Sequence, residues 1–378
     1  MSKRSFRTAL IIVGATLATI ILVSAILINR ALAYADDTHD GDGRKVEVEI
    51  KTGMSFPEIA SMLSDKNLIE KPTWFRLYAM WNGDTTKVKT GKYLLKDNLT
   101  PKQVLAVLVA GVKEVTVKVT LPEGKHMLEY FELLEQAKVA KAKDLEAIAR
   151  DKDVLGKYAI QGDSLDGYLF PDTYQFRVPT APAVVIERLV NRHREVWSSI
   201  VNKNPKDTAK LKEKLGWSDR DILTMASIVE KEAVDPKERP RIAQVFINRL
   251  TFASFKPKRL ETDPTIRYGC LVPQAKSPPC LAWIEMCTKI GKQAGCERLR
   301  RAQLDDKDNA YNTYQHEGLP PGPISNPGRA SMAATISPDG SDYLFFVATS
   351  KSSRTHAFAK SIDEHKRNVA KYVNSGDE

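Results

Sequence analysis

The N-terminal segment constrains the fold most, because residues 8–28 carry no charged side chain. Nearly all of them are Ala, Val, Ile, Leu, Thr or Ser, and about 20 such residues span the hydrocarbon core of a membrane. Lys3, Arg4 and Arg7 precede the run. Because positive charge tends to stay on the cytoplasmic side, we predict a cytoplasmic tail over 1–7, a transmembrane anchor over 8–28 and an exported remainder.

A cleaved signal peptide is the competing interpretation of this segment. Ala31-Leu32-Ala33 has the small residues of a processing site. The apolar run is longer than the usual core of a signal peptide, which favours the uncleaved anchor. A linker over 29–44, rich in Asp and Gly towards its end, would then lead to the exported part.

The charge balance is only mildly basic, although the chain has 57 Lys and Arg against 47 Asp and Glu. Residues 1–35 supply four of the ten excess positive charges and no acidic side chain. The 378 residues are long enough for two or three domains and a real core. The remaining charge suits an anionic polymer or a membrane surface, and we expect no nucleic-acid partner.

The four cysteines lie close together at Cys270, Cys280, Cys287 and Cys296. An even number in an exported segment suggests two local disulfides, for which three connectivities exist. A zinc site is the alternative, but no C-x-x-C pair is present to support it. In either case the cysteines would staple a loop rather than carry out chemistry.

Hydrophobic patterning predicts two regions of secondary structure after the linker. The first is a small α+β unit, with a strand at 46–50, helices at 55–64, 72–81 and 100–111, and a strand at 115–121. The second is mainly helical over 125–215, with a structured loop at 166–174 because Pro171 bars a helix there. Near the end of the chain, Asp342 to Ala348 is typical of a buried strand.

The clearest helix starts at a capping box of Ser218 and Asp221 and should end near Ala233. Its last turn carries Glu230 and Glu232, which point to opposite flanks because two residues turn a helix by about 200°. Only one of them can therefore belong to a given site. The bulkier apolar neighbours of Glu232 would raise the pKa of its carboxyl group, as a general acid requires.

Other polar residues stand on rigid loops defined by Pro and Gly. Thr262, Asp263, Asn312 and Tyr314 would suit hydrogen bonding to a polyhydroxylated ligand. For the histidines near the end of the chain, His356 and His365, we expect surface or core positions rather than catalysis.

Several long motifs occur in one order, and together they resemble the YceG-like endolytic murein transglycosylases. They are LPEG at 121–124, GYLFPDTY at 167–174, MASIVEKE at 225–232, VFINRL at 245–250, TDPT at 262–265, YNTY at 311–314 and GLPPGPI at 318–324. One departure is Asp166, which stands where the family often has Glu, and we assign it no role.

The resemblance implies an α+β fold with a single N-terminal transmembrane helix. A small LysM-like α+β domain would cover 45–112, and a mixed α/β catalytic domain would cover 113–378 with a cysteine-containing insertion at about 270–300. The implied enzyme sits in the inner membrane with its catalytic part in the periplasm. It would cut the β-1,4 bond between MurNAc and GlcNAc within nascent peptidoglycan strands, leave 1,6-anhydroMurNAc ends and work beside peptidoglycan synthases.

The resemblance places the catalytic glutamate at Glu232. This carboxyl would protonate the departing oxygen and then accept the proton of the MurNAc C6 hydroxyl, so no metal or cofactor is required. Asn312, Tyr314, Thr262 and Asp263 are the candidates for orienting the sugars. Two alternatives stay open: a noncatalytic peptidoglycan-binding scaffold of the growth machinery, and a hydrolase that pairs Glu232 with Asp263.

Overall fold

The computed structural model describes residues 3–38, 40–112, 115–290, 299–350 and 353–373. The chain divides into two compact units, Met1–Glu114 and Val115–Glu378. Both combine helices with short antiparallel strand pairs, which confirms the predicted α+β class.

The first unit begins with one long apolar helix, α1 (Lys3–Ala35). By length and composition its segment Ile12–Ala35 could cross a membrane. The helix continues beyond the predicted end of the anchor, so residues 29–35 are helical rather than part of a linker. The reason is local, because Asn29 to Ala35 contain no Gly or Pro that would stop a helix.

The rest of the first unit is a two-stranded sheet with three short helices. Its elements are β1 (Lys45–Ile50), α2 (Phe56–Asp65), α3 (Pro72–Trp81), β2 (Gly91–Lys96) and α4 (Pro101–Ala110). Strand β1 runs antiparallel to β2, with Val48 opposite Tyr93, and both side chains are buried in the core of the unit. Capping boxes at Ser55 and Thr100 start α2 and α4 where the sequence predicted helices.

Over its described residues, the second unit is mainly helical and contains two further strand pairs. Its elements are β3 (Thr116–Thr120), α5 (Met127–Gln136), α6 (Ala142–Ala149), α7 (Lys152–Lys157), β4 (Thr173–Arg177), α8 (Pro182–Lys203), α9 (Pro205–Leu215), α10 (Asp219–Glu232), a 3₁₀ turn (Pro236–Glu238), α11 (Arg239–Thr251), α12 (Asp263–Leu271), α13 (Pro278–Ile290), α14 (Arg301–Leu304), α15 (Arg329–Ile336), β5 (Phe345–Ala348), β6 (His356–Ala359) and α16 (Ile362–Tyr372). Strand β3 pairs with β4, and β5 pairs with β6, both antiparallel.

Helix α10 is the central element of the second unit. Eight consecutive residues, Ile222 to Val229, are buried, and α11, α12 and α15 pack around the helix. A helix that is buried on all sides has little freedom to rotate or shift. The predicted capping box of Ser218 and Asp221 starts it, and it ends at Glu232. The core therefore fixes the position of the two glutamates in its last turn.

Two predictions about strands were wrong. The predicted loop at 166–174 ends inside a strand, because β4 begins at Thr173 and pairs with β3. The predicted strand at 342–348 begins only at Phe345 and is half-buried rather than buried. Among the described residues it pairs with β6, and α16 packs against it.

The cysteine-containing segment joins two helices covalently. Cys270, near the end of α12, forms a disulfide with Cys280 in α13. Both sulfur-bearing side chains are buried beside Trp283, and Cys287 packs against the same cluster. Cys296 lies outside the described residues.

Candidate active site

Glu232 stands on the wall of a cleft of about 490 Å³. Residues of α10, α11, α12, β5 and α16 line the cleft, together with the loop at 261–262 and Tyr314. Other clefts of the second unit have similar volumes, so size does not single this one out. The residues that line it distinguish this cleft from the others. Beside the glutamate at the end of a core helix lie two further acidic and two basic side chains, Glu261, Asp263, Arg249 and His365.

The environment of Glu232 favours the protonated carboxyl. Burial raises the pKa of Glu232 most, and the negative charge of Asp263 raises it further. The hydroxyl of Thr262 donates a hydrogen bond to Oε1 of Glu232, and this bond together with the charges of His356 and Arg249 lowers the pKa less than burial raises it. A carboxyl whose pKa is raised in this way is better suited to act as a general acid.

Thr262 is held in place by a buried cluster of threonines. Its backbone N–H donates to Oγ1 of Thr313 at 3.1 Å, and the hydroxyl of Thr265 donates to its carbonyl oxygen at 2.7 Å. The hydroxyls of Thr265 and Thr313 lie 2.9 Å apart. The residue before it, Glu261, has φ +54°, a left-handed conformation that is unusual for a residue other than Gly. The backbone is thus turned so that the hydroxyl of Thr262 reaches Glu232.

Asp263 and Tyr314 form a second pair on the cleft wall. The hydroxyl of Tyr314 donates to Oδ1 of Asp263 at 2.9 Å. Asp263 is the first residue of α12, where the helix dipole favours a negative charge. Burial and the charge of Asp263 raise the pKa of the Tyr314 phenol, so it stays a donor at neutral pH. Both side chains line the cleft, so the pair presents a carboxylate and an aromatic ring there.

Asn312 does not join this group, although the sequence analysis placed it among the sugar-orienting candidates. It is fully buried, and its side-chain amide donates to the carbonyl oxygens of Gln303, Leu304 and Asp306. The side-chain oxygen of Asn312 accepts a hydrogen bond from the backbone N–H of Tyr314 at 3.0 Å. All hydrogen-bonding groups of its side chain are therefore used within the fold, where they hold the loop that carries Tyr314.

Glu230 lies on the opposite flank of α10, as the helical geometry predicted. Its side chain is 6% exposed and forms an ion pair with Arg239 at 3.1 Å. It also accepts a hydrogen bond from the backbone N–H of Gly328 at 3.0 Å. Both carboxylate oxygens are thus engaged in holding α10 to α11 and to the start of α15.

Sequence reasoning missed the part that Arg249 plays. Its Nε donates to the carbonyl oxygen of Leu344 at 2.8 Å, and its Nη1 donates to the carbonyl oxygen of Leu260. Arg249 therefore ties the loop before Thr262 to the start of β5. The signal was present in VFINRL, where Arg249 follows Asn248 in a mostly apolar run, but the sequence did not indicate which residues the arginine would contact.

The two C-terminal histidines lie nearer to the site than we expected. His365 lines the cleft and stacks on Phe345, with ring centroids 5.3 Å apart. Burial and the nearby Arg249 guanidinium lower the pKa of His365. His356 binds Glu238 through Nδ1 at 2.7 Å and so ties β6 to the turn that follows α10. Among the described residues, no group of three or more His, Cys, Asp or Glu side chains could hold a metal ion.

Comparisons with known proteins agree in pointing to one family. The model of the YceG-like family matches residues 48–371. The chain is 29% identical over 352 residues to an endolytic murein transglycosylase of Bacillus subtilis (strain 168), covering 88% of this chain and 86% of that protein. It is 26% identical over 367 residues to an endolytic murein transglycosylase of Streptococcus pneumoniae serotype 2 (strain D39 / NCTC 7466), covering 89% of this chain and 60% of that longer protein.

A solved structure supports the same assignment. The crystal structure of a yceG-like protein from Listeria monocytogenes superposes with a TM-score of 0.52 at 29% identity. The match covers 86% of this chain and 99% of that one.

Proposed function

The chain belongs to the YceG-like family, and we propose that it is a membrane-anchored endolytic murein transglycosylase whose one catalytic carboxyl group is that of Glu232. The curated relatives carry the same activity in their names. The observation that carries the choice of residue is the desolvated carboxyl of Glu232 in the cleft, hydrogen-bonded by Thr262.

In the first step Glu232 acts as the general acid. Its proton passes to the oxygen that joins MurNAc to GlcNAc, and the C1–O bond breaks with its electron pair leaving on that oxygen. Positive charge then develops at C1 of MurNAc. The newly formed Glu232 carboxylate and the nearby Asp263 carboxylate stabilise this charge electrostatically, which is worth most in a cleft with little water.

In the second step the same carboxylate acts as the general base. It accepts the proton of the MurNAc C6 hydroxyl while the C6 oxygen bonds to C1 and closes the 1,6-anhydro ring. The proton that Glu232 gave is thereby restored. The substrate supplies its own nucleophile, so the reaction consumes no water and needs one titrating group rather than two.

The contacts around Glu232 suit both halves of this cycle. Burial favours the protonated acid, while the hydroxyl of Thr262 stabilises the carboxylate that exists between the two steps. We propose that Asp263 and Tyr314 orient the sugar at C1, and that the rings of Phe345 and Phe346 pack against sugar faces along the cleft. Asn312 does not contact the sugar in this proposal and contributes by supporting the loop that carries Tyr314.

The proposal extends to location and partners. Helix α1 would be an uncleaved anchor with its N-terminus in the cytoplasm, which puts the catalytic unit in the periplasm. Residues 45–112 would act as a LysM-like module that binds glycan strands. Work on nascent strands would bring the protein beside peptidoglycan synthases.

Mass spectrometry of muropeptides tests the chemistry. The full-length chain in detergent is given uncrosslinked glycan strands, and Glu232→Gln is compared with wild type. Glu213→Gln makes the same change on the exposed surface of α9 and serves as the matched control. We expect anhydro-ended internal fragments from wild type and from Glu213→Gln, and none from Glu232→Gln.

Each other outcome contradicts a stated part of the proposal. Anhydro products that persist in Glu232→Gln would move the chemistry to another group. Reducing MurNAc ends would indicate a hydrolase that uses water, with Asp263 as the second carboxylate. Folded wild-type protein that binds strands without cutting them would support the noncatalytic scaffold.

A further inference from the structure

The outer end of α1 is built into the small domain of the first unit. Ala31, Tyr34 and Ala35 are buried in the core of that domain, and Ile28 is half-buried. These residues recur every three to four positions, so they form one stripe along the helix. Towards the N-terminus, the described side chains from Ile12 to Leu27 are exposed. The apolar helix therefore docks on the domain with its last two turns.

The start of α3 lies beside the outer end of α1. The hydroxyl of Tyr34 accepts hydrogen bonds from the backbone N–H groups of Glu70 and Lys71, at 3.1 and 2.9 Å, where α3 begins. The two helices also contact each other directly. Since α1 ends at Ala35 and Tyr34 already meets the start of α3, we take α3 to run back towards the N-terminus of α1.

The lengths of the helices decide how far α3 reaches. From Lys71 to Trp81 is ten residues, or about 15 Å of helix. Ten residues back from Tyr34 is Ser24, which lies inside the apolar run of 8–28. The far end of α3 thus comes level with a point about 6 Å below the outer end of that run. Side chains of interfacial helices enter a bilayer to about 5–10 Å, so this is the depth of the lipid interface.

The end of α3 carries side chains that suit this depth. Met80 is 63% exposed and Trp81 is 59% exposed, which is unusual for two large neighbouring apolar residues in a domain with its own core. Tryptophan concentrates at membrane interfaces, because its ring is apolar and its indole N–H seeks a polar partner. The exposed cation Arg76, one turn before this end, would face anionic headgroups, whereas Lys87 is paired with Asp84 at 2.9 Å.

We propose that the C-terminal end of α3, through Met80 and Trp81, inserts into the outer interface of the lipid bilayer that α1 spans. The partner is the lipid itself. The small domain is then fixed to the membrane surface at two points, the end of α1 and the end of α3, instead of swinging on a linker. This inference rests on the membrane anchoring put forward under the proposed function.

Tryptophan quenching in lipid nanodiscs tests the insertion. The full-length chain is reconstituted in phosphatidylethanolamine and phosphatidylglycerol with brominated acyl chains, which quench only nearby indoles. We expect Trp81→Phe to remove most of the quenching seen for wild type. The matched control is Thr73→Trp in the Trp81→Phe background, because Thr73 is exposed at the opposite end of α3, about 12 Å away along the helix. We expect this indole to be quenched at most weakly.

Two measurements separate the failure of this inference from the failure of anchoring. Co-elution with the nanodisc is scored first, and a chain that does not co-elute contradicts the anchor itself. A chain that co-elutes with Trp81 unquenched, or with the indole introduced at position 73 quenched as strongly, overturns the insertion alone. If Trp81 is shielded only in native membranes and not in lipid nanodiscs, its partner is a protein and the lipid assignment is wrong. Near-identical thermal unfolding of the variants and wild type excludes misfolding as the cause.

Discussion

The hydroxyl of Thr262 donates a hydrogen bond to Oε1 of Glu232 across thirty residues of chain. One partner ends a helix that is buried on all sides, and the other stands on a loop locked by buried threonines. Burial pushes the pKa of Glu232 up, while this hydrogen bond pulls it down. The balance of the two sets the pH at which the carboxyl can give up its proton.

Replacing Thr262 with Val removes the contact that favours the charged carboxylate. The pKa of Glu232 should therefore rise further. Since the general acid must be protonated in the free enzyme, activity falls as pH rises through that pKa, and in Thr262→Val the fall should move to higher pH. At the optimum we expect kcat/KM to drop about 10- to 150-fold, because one hydrogen bond to a charged group contributes about 1.5–3 kcal/mol. The pH profile of kcat/KM measures both effects.

Thr262→Ser is the matched control, because it keeps the hydroxyl and loses only a methyl group. In Thr262→Ser the fall of activity at high pH should return to its wild-type position. A profile that moves to lower pH in Thr262→Val, or that Thr262→Ser fails to restore, would contradict this account of the hydrogen bond.

Glu230 should prove a stability residue rather than a catalytic one. Its ion pair with Arg239 is buried, with side chains 6% and 11% exposed. Removing one partner of a fully isolated buried pair costs about 3–5 kcal/mol. The loss should be smaller here, because Glu123 still lies 3.7 Å from the guanidinium of Arg239. Glu230→Gln keeps an acceptor for Gly328, so the fold should survive with a lower free energy of unfolding. Denaturant unfolding measures the loss, and activity per folded molecule should stay within about threefold of wild type.

The double variant Glu230→Gln, Arg239→Gln completes the comparison. With both charges gone, we expect it to be more stable than the sum of the two single changes predicts. Simple additivity would mean that the pair does not interact, and loss of turnover in folded Glu230→Gln would bring this carboxylate into the chemistry.

Much of the local structure could be predicted, because its causes are local. The capping box at Ser218, the opposite flanks of Glu230 and Glu232 and the helix at 72–81 follow from residue type and helical period alone. The motifs identified the family because they are long and occur in order. The strand at 342–348 was placed too early, since its burial depends on a partner strand that the pattern does not reveal.

Contacts between distant parts of the chain could not be predicted in this way. Arg249 is hydrogen-bonded to Leu344, which lies 95 residues further along the chain. The residues next to either one in the sequence do not indicate this contact. Asn312 illustrates the opposite case, because a polar residue on a Pro/Gly-rich loop suggests a ligand contact until its burial is known. Tertiary packing decides whether a polar side chain is free to bind the substrate or is hydrogen-bonded within the protein.

Asn312 and Tyr314 should therefore respond differently to substitution. Asn312→Ala leaves three carbonyl oxygens without their donor in a buried loop, so the free energy of unfolding should fall by about 2–4 kcal/mol. Tyr314→Phe loses one hydrogen bond at the cleft wall, so stability should change little while kcat/KM falls. Thermal unfolding and steady-state kinetics on both variants make the comparison. A rise in KM for Asn312→Ala at unchanged stability would return it to the sugar-binding group.

Asp166 should make the stability of the protein depend on pH. The residue is 2% exposed, and burial raises its pKa to about 7. Its Oδ1 accepts from the backbone N–H of Met127 and from the amide of Asn326, so it joins the start of α5 to the loop before α15. In the unfolded chain an aspartate has a pKa of about 3.9. Between these values the folded state holds a proton that the unfolded state has released.

The contribution of Asp166 to the free energy of unfolding should consequently fall as pH rises from about 4 to about 7. Above about pH 7 it should stay constant. Asp166→Asn carries no titrating proton and keeps an oxygen acceptor, so it should escape this loss. The difference in free energy of unfolding between Asp166→Asn and wild type should therefore move in favour of the variant across that window. Denaturant unfolding at several pH values measures it, with the exposed Asp144→Asn as the control for the change of charge. A difference that stays constant from pH 4 to 8 would mean that Asp166 is ionised throughout, and that its hydrogen bonds outweigh its burial.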